Sequence, residues 1–370
     1  MKKHHLLLAS ALLLSLGACD SPLSDPAGDA AEAFAAQNYP AARDHAQTAL
    51  RKDGGNVNAL ELLARAQIAV GEGANALVTL DRLKAAGGRP EDAALLEAEA
   101  NLQVGEGDAV LALLQGDSSA EAWRLRALAA SLTGDQAAAL NAFRQGRDAP
   151  GDKMKLYAAE ASYFLASGNA DAARTAVALA QQTAPKQLET LFVTAKLAQL
   201  DGDSDAASRA FLAILDIAPN DRPALLGAIA EMGELGRVDL LRPLVERGSS
   251  AFPGDPEFVY LSARLLAEDG DWQGVRNMFQ AREATLAAHP QSRGLYAEAL
   301  AELGQVELAR THIAPLYRQL PDNEQVARVY ARVLLDLGDH AEAARVIAPL
   351  AALPSALAED LELAARANRS

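Results

Sequence analysis

The side chains able to do chemistry are few and poorly grouped. Four histidines lie beyond the N-terminal segment, His45, His289, His312 and His340, and no two of them stand three or four residues apart. That spacing is what places two imidazoles on one helical face for zinc, so no zinc motif is expected. Asp201, Asp203 and Asp205 imitate the start of a calcium loop. Ala206 then stands where the turn needs glycine, and Leu212 where a bidentate glutamate belongs, so these are read as turn and cap residues. Gly71 and Gly73 have no third glycine and no preceding strand pattern to make a dinucleotide loop. No Walker loop and no Gly-x-Ser-x-Gly occurs. Carboxylates are abundant, and in an acidic helical chain they read as solvated faces. The expectation is a protein without catalysis, metal or cofactor.

One thiol stands apart. Cys19 is the sole cysteine, which excludes a disulfide framework. Lys2 and Lys3 precede an apolar run of eleven residues from Leu6 to Leu16. At helical rise it reaches about 16 Å, half of a hydrocarbon core of about 30 Å. A basic start, a short apolar stretch and small residues make the pattern of an export signal. Leu16, Gly17, Ala18 and Cys19 resemble the lipobox of bacterial lipoproteins. The resemblance implies cleavage before Cys19 and acylation there, each buried methylene contributing about 0.8 kcal/mol to membrane binding. An ordinary signal peptide with a stray cysteine is the alternative. Residues 1–18 are thus expected to be a signal peptide and 19–26 a lipidated tether. The implied location is the periplasmic side of the bacterial envelope. Asp20 resembles the residue that retains lipoproteins in the inner membrane, and the outer membrane stays open.

The elements that follow are set by a period. Gly71, Gly105, Gly134, Gly168, Gly202, Gly236, Gly270, Gly304 and Gly338 are 34 residues apart, except for 29 between Gly105 and Gly134. One period back from Gly71 lies Gln37, opening a tenth, degenerate unit. With these residues at position 15, position 8 is alanine in nine units of ten, with Ile229 the exception. Position 20 is alanine in seven. Small residues at both places let two helices cross closely, and the glycine supplies the left-handed turn between them. Polar residues after it, Glu72, Glu106, Asp135, Asn169, Asp203, Asp271 and Asp339, are placed to cap the second helix. Pro185, Pro219, Pro253 and Pro321 close second helices. Pro243, Pro315 and Pro349 are expected to kink them. The interval of 29 removes more than one turn from the second helix around 110–116.

This pattern, with Trp123, Tyr157 and Leu191 at position 4 and Phe143, Phe211 and Phe279 at position 24, resembles the tetratricopeptide repeat family. The fold it implies is all-α: a right-handed superhelical solenoid of about ten 34-residue helix-turn-helix repeats over 27–354, with a C-terminal capping helix over 355–370. In that family positions 2, 5, 9 and 12 of the first helices face a concave groove. These spacings share one helical stripe. Here the stripe carries Arg65, Arg124, Lys155, Phe192, Lys196, Tyr260, Arg264, Arg328 and Arg332 as candidate groove residues. The family's Lys and Asn carboxylate clamp is missing, because no asparagine occupies position 9. Ordinary exposed charges with solvated heads are the alternative.

Composition sets the outer bounds. Aromatic residues are 5% of 370, and a net charge of −15 disfavours nucleic acid. The expected function is a lipid-anchored scaffold that binds protein partners in an envelope complex, such as one for exopolysaccharide export or for pilus or secretion-system assembly. Direct binding of an anionic polysaccharide, or recruitment of cell-wall hydrolases, are the alternatives.

Overall fold

The computed structural model describes residues 25–369, and every regular element among them is helical. The expected signal peptide, Cys19 and most of the expected tether lie outside the described residues. The chain divides into two compact units, Met1–Val193 and Thr194–Ser370. In the first, α1 (Pro26–Ala35) pairs with α2 (Tyr39–Lys52), α3 (Val57–Ala69) with α4 (Gly73–Ala85), and α5 (Ala93–Gln103) with α6 (Gly107–Leu113). Next come α7 (Ala120–Leu132) with α8 (Gln136–Asp148), and α9 (Met154–Ala166) with α10 (Ala170–Thr183). Helix α11 (Leu188–Leu200) contains the division, and α12 (Ser204–Ile217) follows it. The second unit continues with the pairs α13 (Arg222–Glu234) and α14 (Val238–Ala251), α15 (Pro256–Glu268) and α16 (Trp272–Gln280), and, after a 3-10 turn at Glu283–Ala288, α17 (Pro290–Glu302) and α18 (Val306–Gln319). It closes with α19 (Glu324–Asp336), α20 (His340–Ala351) and α21 (Ala358–Ala367).

The period survives into the backbone. First helices begin at residues 120, 154, 188, 222, 256, 290, 324 and 358, a step of 34 each time. The nine position-15 glycines hold φ between 67° and 85°, where a side chain is strained, and Gln37 accepts that cost at φ 60°. All nine position-8 alanines are fully buried and Ile229 is 4% exposed, as a close helix crossing requires. A leucine at such a point, Ala161 for example, would overpack the hairpin at a cost of about 1–3 kcal/mol.

The caps divide by side-chain length. Asp135, Asn169, Asp203, Asp271 and Asp339 each accept from the backbone N–H three residues on, at 2.8–3.3 Å. Glu72 and Glu106 do not cap. Their extra methylene overshoots the helix end, and Glu72 instead takes Nη1 of Arg43 at 2.5 Å. Second helices α10, α12, α14 and α18 stop two residues before Pro185, Pro219, Pro253 and Pro321, since the residue before proline leaves the helical region.

The shortened unit resolves into one device. Helix α6 has seven residues, where the other second helices have nine to fourteen. Its C-terminal end is capped from the next first helix: Nη2 of Arg126 donates to the carbonyls of Leu114 and Asp117, both at 2.6 Å. A cation suits the negative end of a helix, and Trp123 holds this one, its ring centroid 4.5 Å from the guanidinium carbon.

Helix α21 refines the expected cap. It starts 34 residues after α19 and buries Leu363 and Ala367, so it keeps the register of a further first helix. Ala365, at its position 8, is exposed, and among the described residues no helix crosses it.

Candidate binding grooves

In the first unit a cavity of about 460 Å³ opens between the first helices. Its walls are the stripe positions of successive hairpins: Lys155 and Glu189 at position 2, Arg124 and Phe192 at 5, Arg65, Glu99 and Ser162 at 9, Phe34 and Ile68 at 12. The first hairpin turn meets the start of α11 across this space. The backbone N–H of Leu188 donates to Oε1 of Gln37 at 3.5 Å, and burial, with a smaller push from the Glu189 carboxylate, raises the pKa of Tyr39. Phe34 and Tyr39 stack obliquely there, ring centroids 5.2 Å apart.

The cations in this cavity differ in how they are held. Arg124 is 6% exposed, with Glu99 on Nη2 and Glu121 on Nε at 2.8 Å. Burial pulls its guanidinium down to about 10, so it is protonated at neutral pH. Burial also raises the pKa of its partner Glu121. Arg65 forks onto Asp92 at 2.7 and 2.8 Å and onto Glu61. Lys155 is exposed and, among the described residues, makes no direct ion pair, its charge reaching Glu121 and Asp92 only through space. One oxygen of Glu189 is buried without a donor.

In the second unit a cavity of about 370 Å³ is lined by Tyr260 and Arg264 of α15, Gln291 and Leu295 of α17, and Gln325 and Val329 of α19, with Ile313 behind. Lys196 stands elsewhere in this unit, its ammonium 3.0 Å from Oε1 of Gln199 and 5.8 Å from the ring centroid of Phe211.

Arg328 and Arg332 require a correction to their reading as groove cations. Arg328 is 8% exposed and gives Nε to Asp360 at 2.7 Å. Arg332 joins Glu302 at 2.7 Å and also Glu359. Both turn toward neighbouring hairpins because acidic residues of those hairpins face them.

The same logic recurs along the chain. A position-9 arginine reaches position 2 of the next unit in Arg65 to Asp92 and in Arg332 to Glu359. Position 21 reaches position 16 of the next unit in Arg43 to Glu72 and in Arg276 to Gln305. Spacing along a single helix carried no signal for these struts, since each partner lies 27–29 residues away.

Among the described residues no group of three or more His, Cys, Asp or Glu side chains is placed to hold a metal ion. No described helix is long and apolar enough to cross a membrane. His312 is 8% exposed, ring to ring with Tyr296 at 4.8 Å and 3.3 Å from Glu283 Oε1.

No protein-family model matches the chain, and no curated protein matches it in sequence. Among solved structures it is similar to the crystal structure of the APC/C hetero-tetramer Cut9–Hcn1. That match has 13% identity and a TM-score of 0.54, covering 92% of this chain and 95% of that one. The P58(IPK) TPR domain aligns over 94% of this chain and 98% of its own at 16% identity, and its TM-score of 0.34 carries no weight. The likeness is one of fold: an all-α array of tetratricopeptide-like hairpins.

Proposed function

We propose that this chain is a non-catalytic scaffold, anchored by lipid on Cys19 at the periplasmic face of a bacterial membrane, that binds extended segments of partner proteins. One observation carries the reading: the first unit lines a cavity with stripe positions from successive hairpins, leaving unpaired Lys155, a donor-free Glu189 oxygen and the rings of Phe34, Tyr39 and Phe192 facing it. An extended polypeptide brings matching groups, backbone N–H donors for Glu189 and acidic side chains for Lys155. Its apolar side chains suit the aromatic walls. The reading fits assemblies for polysaccharide export or for pilus or secretion-system construction, and equally an adaptor for cell-wall hydrolases. Direct binding of an anionic polysaccharide is disfavoured, because Arg65, Arg124, Arg328 and Arg332 are already neutralised by carboxylates of the chain.

The test is a photo-crosslinking residue at Phe192 or Tyr260 in the membrane-bound protein. Discrete protein adducts from Phe192 that vanish with Lys155→Glu support the proposal. Retention on acidic glycan with no protein adduct at either site overturns it.

A further inference from the structure

A third pocket lies away from the groove, where α8 and α10 run past α9. Its floor is Glu160, at position 7 of its unit. Where this position is buried elsewhere it is apolar or aromatic, as in Leu63, Ala228, Tyr296 and Tyr330, so the hairpin itself has no need of a carboxylate. Glu160 is 2% exposed. One of its oxygens, Oε1, is taken by the guanidinium of Arg147. The other, Oε2, is buried and accepts no hydrogen bond. Buried polar atoms are nearly always paired, and an unpaired carboxylate oxygen is costly to keep.

The surroundings define what is missing. The pocket is about 230 Å³ and is walled by Phe164, Ala172, Ala176 and Leu179, with Arg147 and Thr175 at its edge. Its one cation is already directed at Oε1. Thr175 spends its hydroxyl proton on the Asp171 carbonyl at 3.1 Å and keeps its lone pairs. The free lone pairs of Glu160 Oε2 and Thr175 call for a ligand that donates. Guanidinium gains its advantage by forking onto both carboxylate oxygens, and only one is open here. A primary ammonium needs a single strong acceptor, and its methylenes suit the apolar walls.

We propose that this pocket is a binding site for a primary alkylammonium group, its ammonium on Glu160 Oε2 and its chain between Phe164, Ala172, Ala176 and Leu179. The group is carried either by a lysine side chain of a partner protein or by a free alkylamine. Burial raises the pKa of Glu160, so an arriving cation also stabilises its ionised form.

The probes are n-butylammonium, Nα-acetyl-lysine amide and, as a neutral control, n-butanol, followed by amide NMR shifts in α9 and α10 of the full chain. The expected result is saturable shifts with a Kd on the order of 1 mM for the ammonium probes, and none for butanol. Glu160→Gln should weaken binding at least tenfold with unchanged helical content. Ala172→Leu, which fills the pocket and leaves Glu160 in place, should abolish it and carries the test should Glu160→Gln fail to fold. Binding of blocked lysine assigns the group to a partner's side chain, and binding of butylammonium alone assigns it to a free amine. Equal shifts with butanol, full affinity in Glu160→Gln, or no saturation up to about 50 mM overturn the proposal and leave Oε2 to bound water.

Discussion

Arg328 of α19 grips Asp360 of α21 through Nε at 2.7 Å and Nη2 at 3.2 Å, with the carboxylate side chain 1% exposed. The backbone N–H of Leu357 also donates to Asp360, at 2.9 Å. The last helix is therefore fastened by a buried ion pair as well as by Leu363 and Ala367. Asp360→Asn should loosen α21 by about 1–3 kcal/mol, since Arg328 loses its buried counter-charge and keeps only the exposed Glu324 of its own helix, at 2.8 Å. Hydrogen exchange should show the loss in α19–α21, and a mutant with wild-type protection there would refute it.

Acid should act on the second unit in two steps. Burial lowers the pKa of His312, with Glu283 opposing and Arg293 reinforcing the shift. A base held neutral in the fold contributes stability that is complete above about pH 6.5 and is lost as pH falls toward the depressed folded value. Arg328 lowers the pKa of Asp360, so its contribution is complete above about pH 4 and is lost only below that. A stability profile between pH 7.5 and 5 should slope downward, and His312→Phe should flatten that slope. An unchanged slope in His312→Phe would assign it to other groups.

Two cations in one cavity should respond in opposite ways. Lys155→Glu should leave stability within about 0.5 kcal/mol of wild type and reduce partner capture more than tenfold. Arg124→Met should destabilise the fold by several kcal/mol, because Glu99 and Glu121 lose their shared counter-ion. Thermal unfolding and quantitative crosslinking together read both effects, and an unfolded Lys155→Glu would show that residue to be structural.

Arg126→Leu should unseat the C-terminal end of α6. Two charge-assisted hydrogen bonds are lost, each contributing about 1.5–3 kcal/mol. Protection of the Val110–Leu114 amides should fall before that of α3 or α9. Simultaneous loss throughout the first unit would contradict this local role.

Cys19→Ser should yield protein without acyl chains that leaves the membrane fraction. Mass spectrometry and fractionation check both, and wild-type membrane retention by the mutant would remove the lipid anchor from the proposal.

The hairpins were legible because their demands are local. A left-handed turn asks for glycine, and a close crossing asks for alanine, so both recur at fixed positions in the chain. The stripe of positions 2, 5, 9 and 12 follows from helical spacing alone, and residues at those positions line the first cavity. What escaped is which charges meet. Arg328 and Asp360 lie 32 residues apart, and nothing in either helix alone shows that one guanidinium faces a partner and another a neighbouring hairpin. The register of α21 was hidden because Glu359, Asp360 and Glu362 on it read as a solvated cap. Glu160 escaped because a carboxylate on an acidic helical chain reads as solvated.

The struts between hairpins also bear on how such a chain finds its own order. Hairpins cut to one template present similar apolar edges, and any of them could seat against the wrong neighbour during folding. The charged contacts use several different position pairs: Arg65 meets Asp92 and Arg332 meets Glu359 by one, Arg124 meets Glu99 by a second and Arg222 meets Asp255 by a third. A hairpin docked out of turn loses up to about 1 kcal/mol at each partly exposed strut such as Arg65 or Arg222, and several at the buried Arg124. Interchangeable in shape, the hairpins are thus told apart in part by charge. Chains with their units shuffled should collapse to helix and still fail to assemble as a single ordered stack.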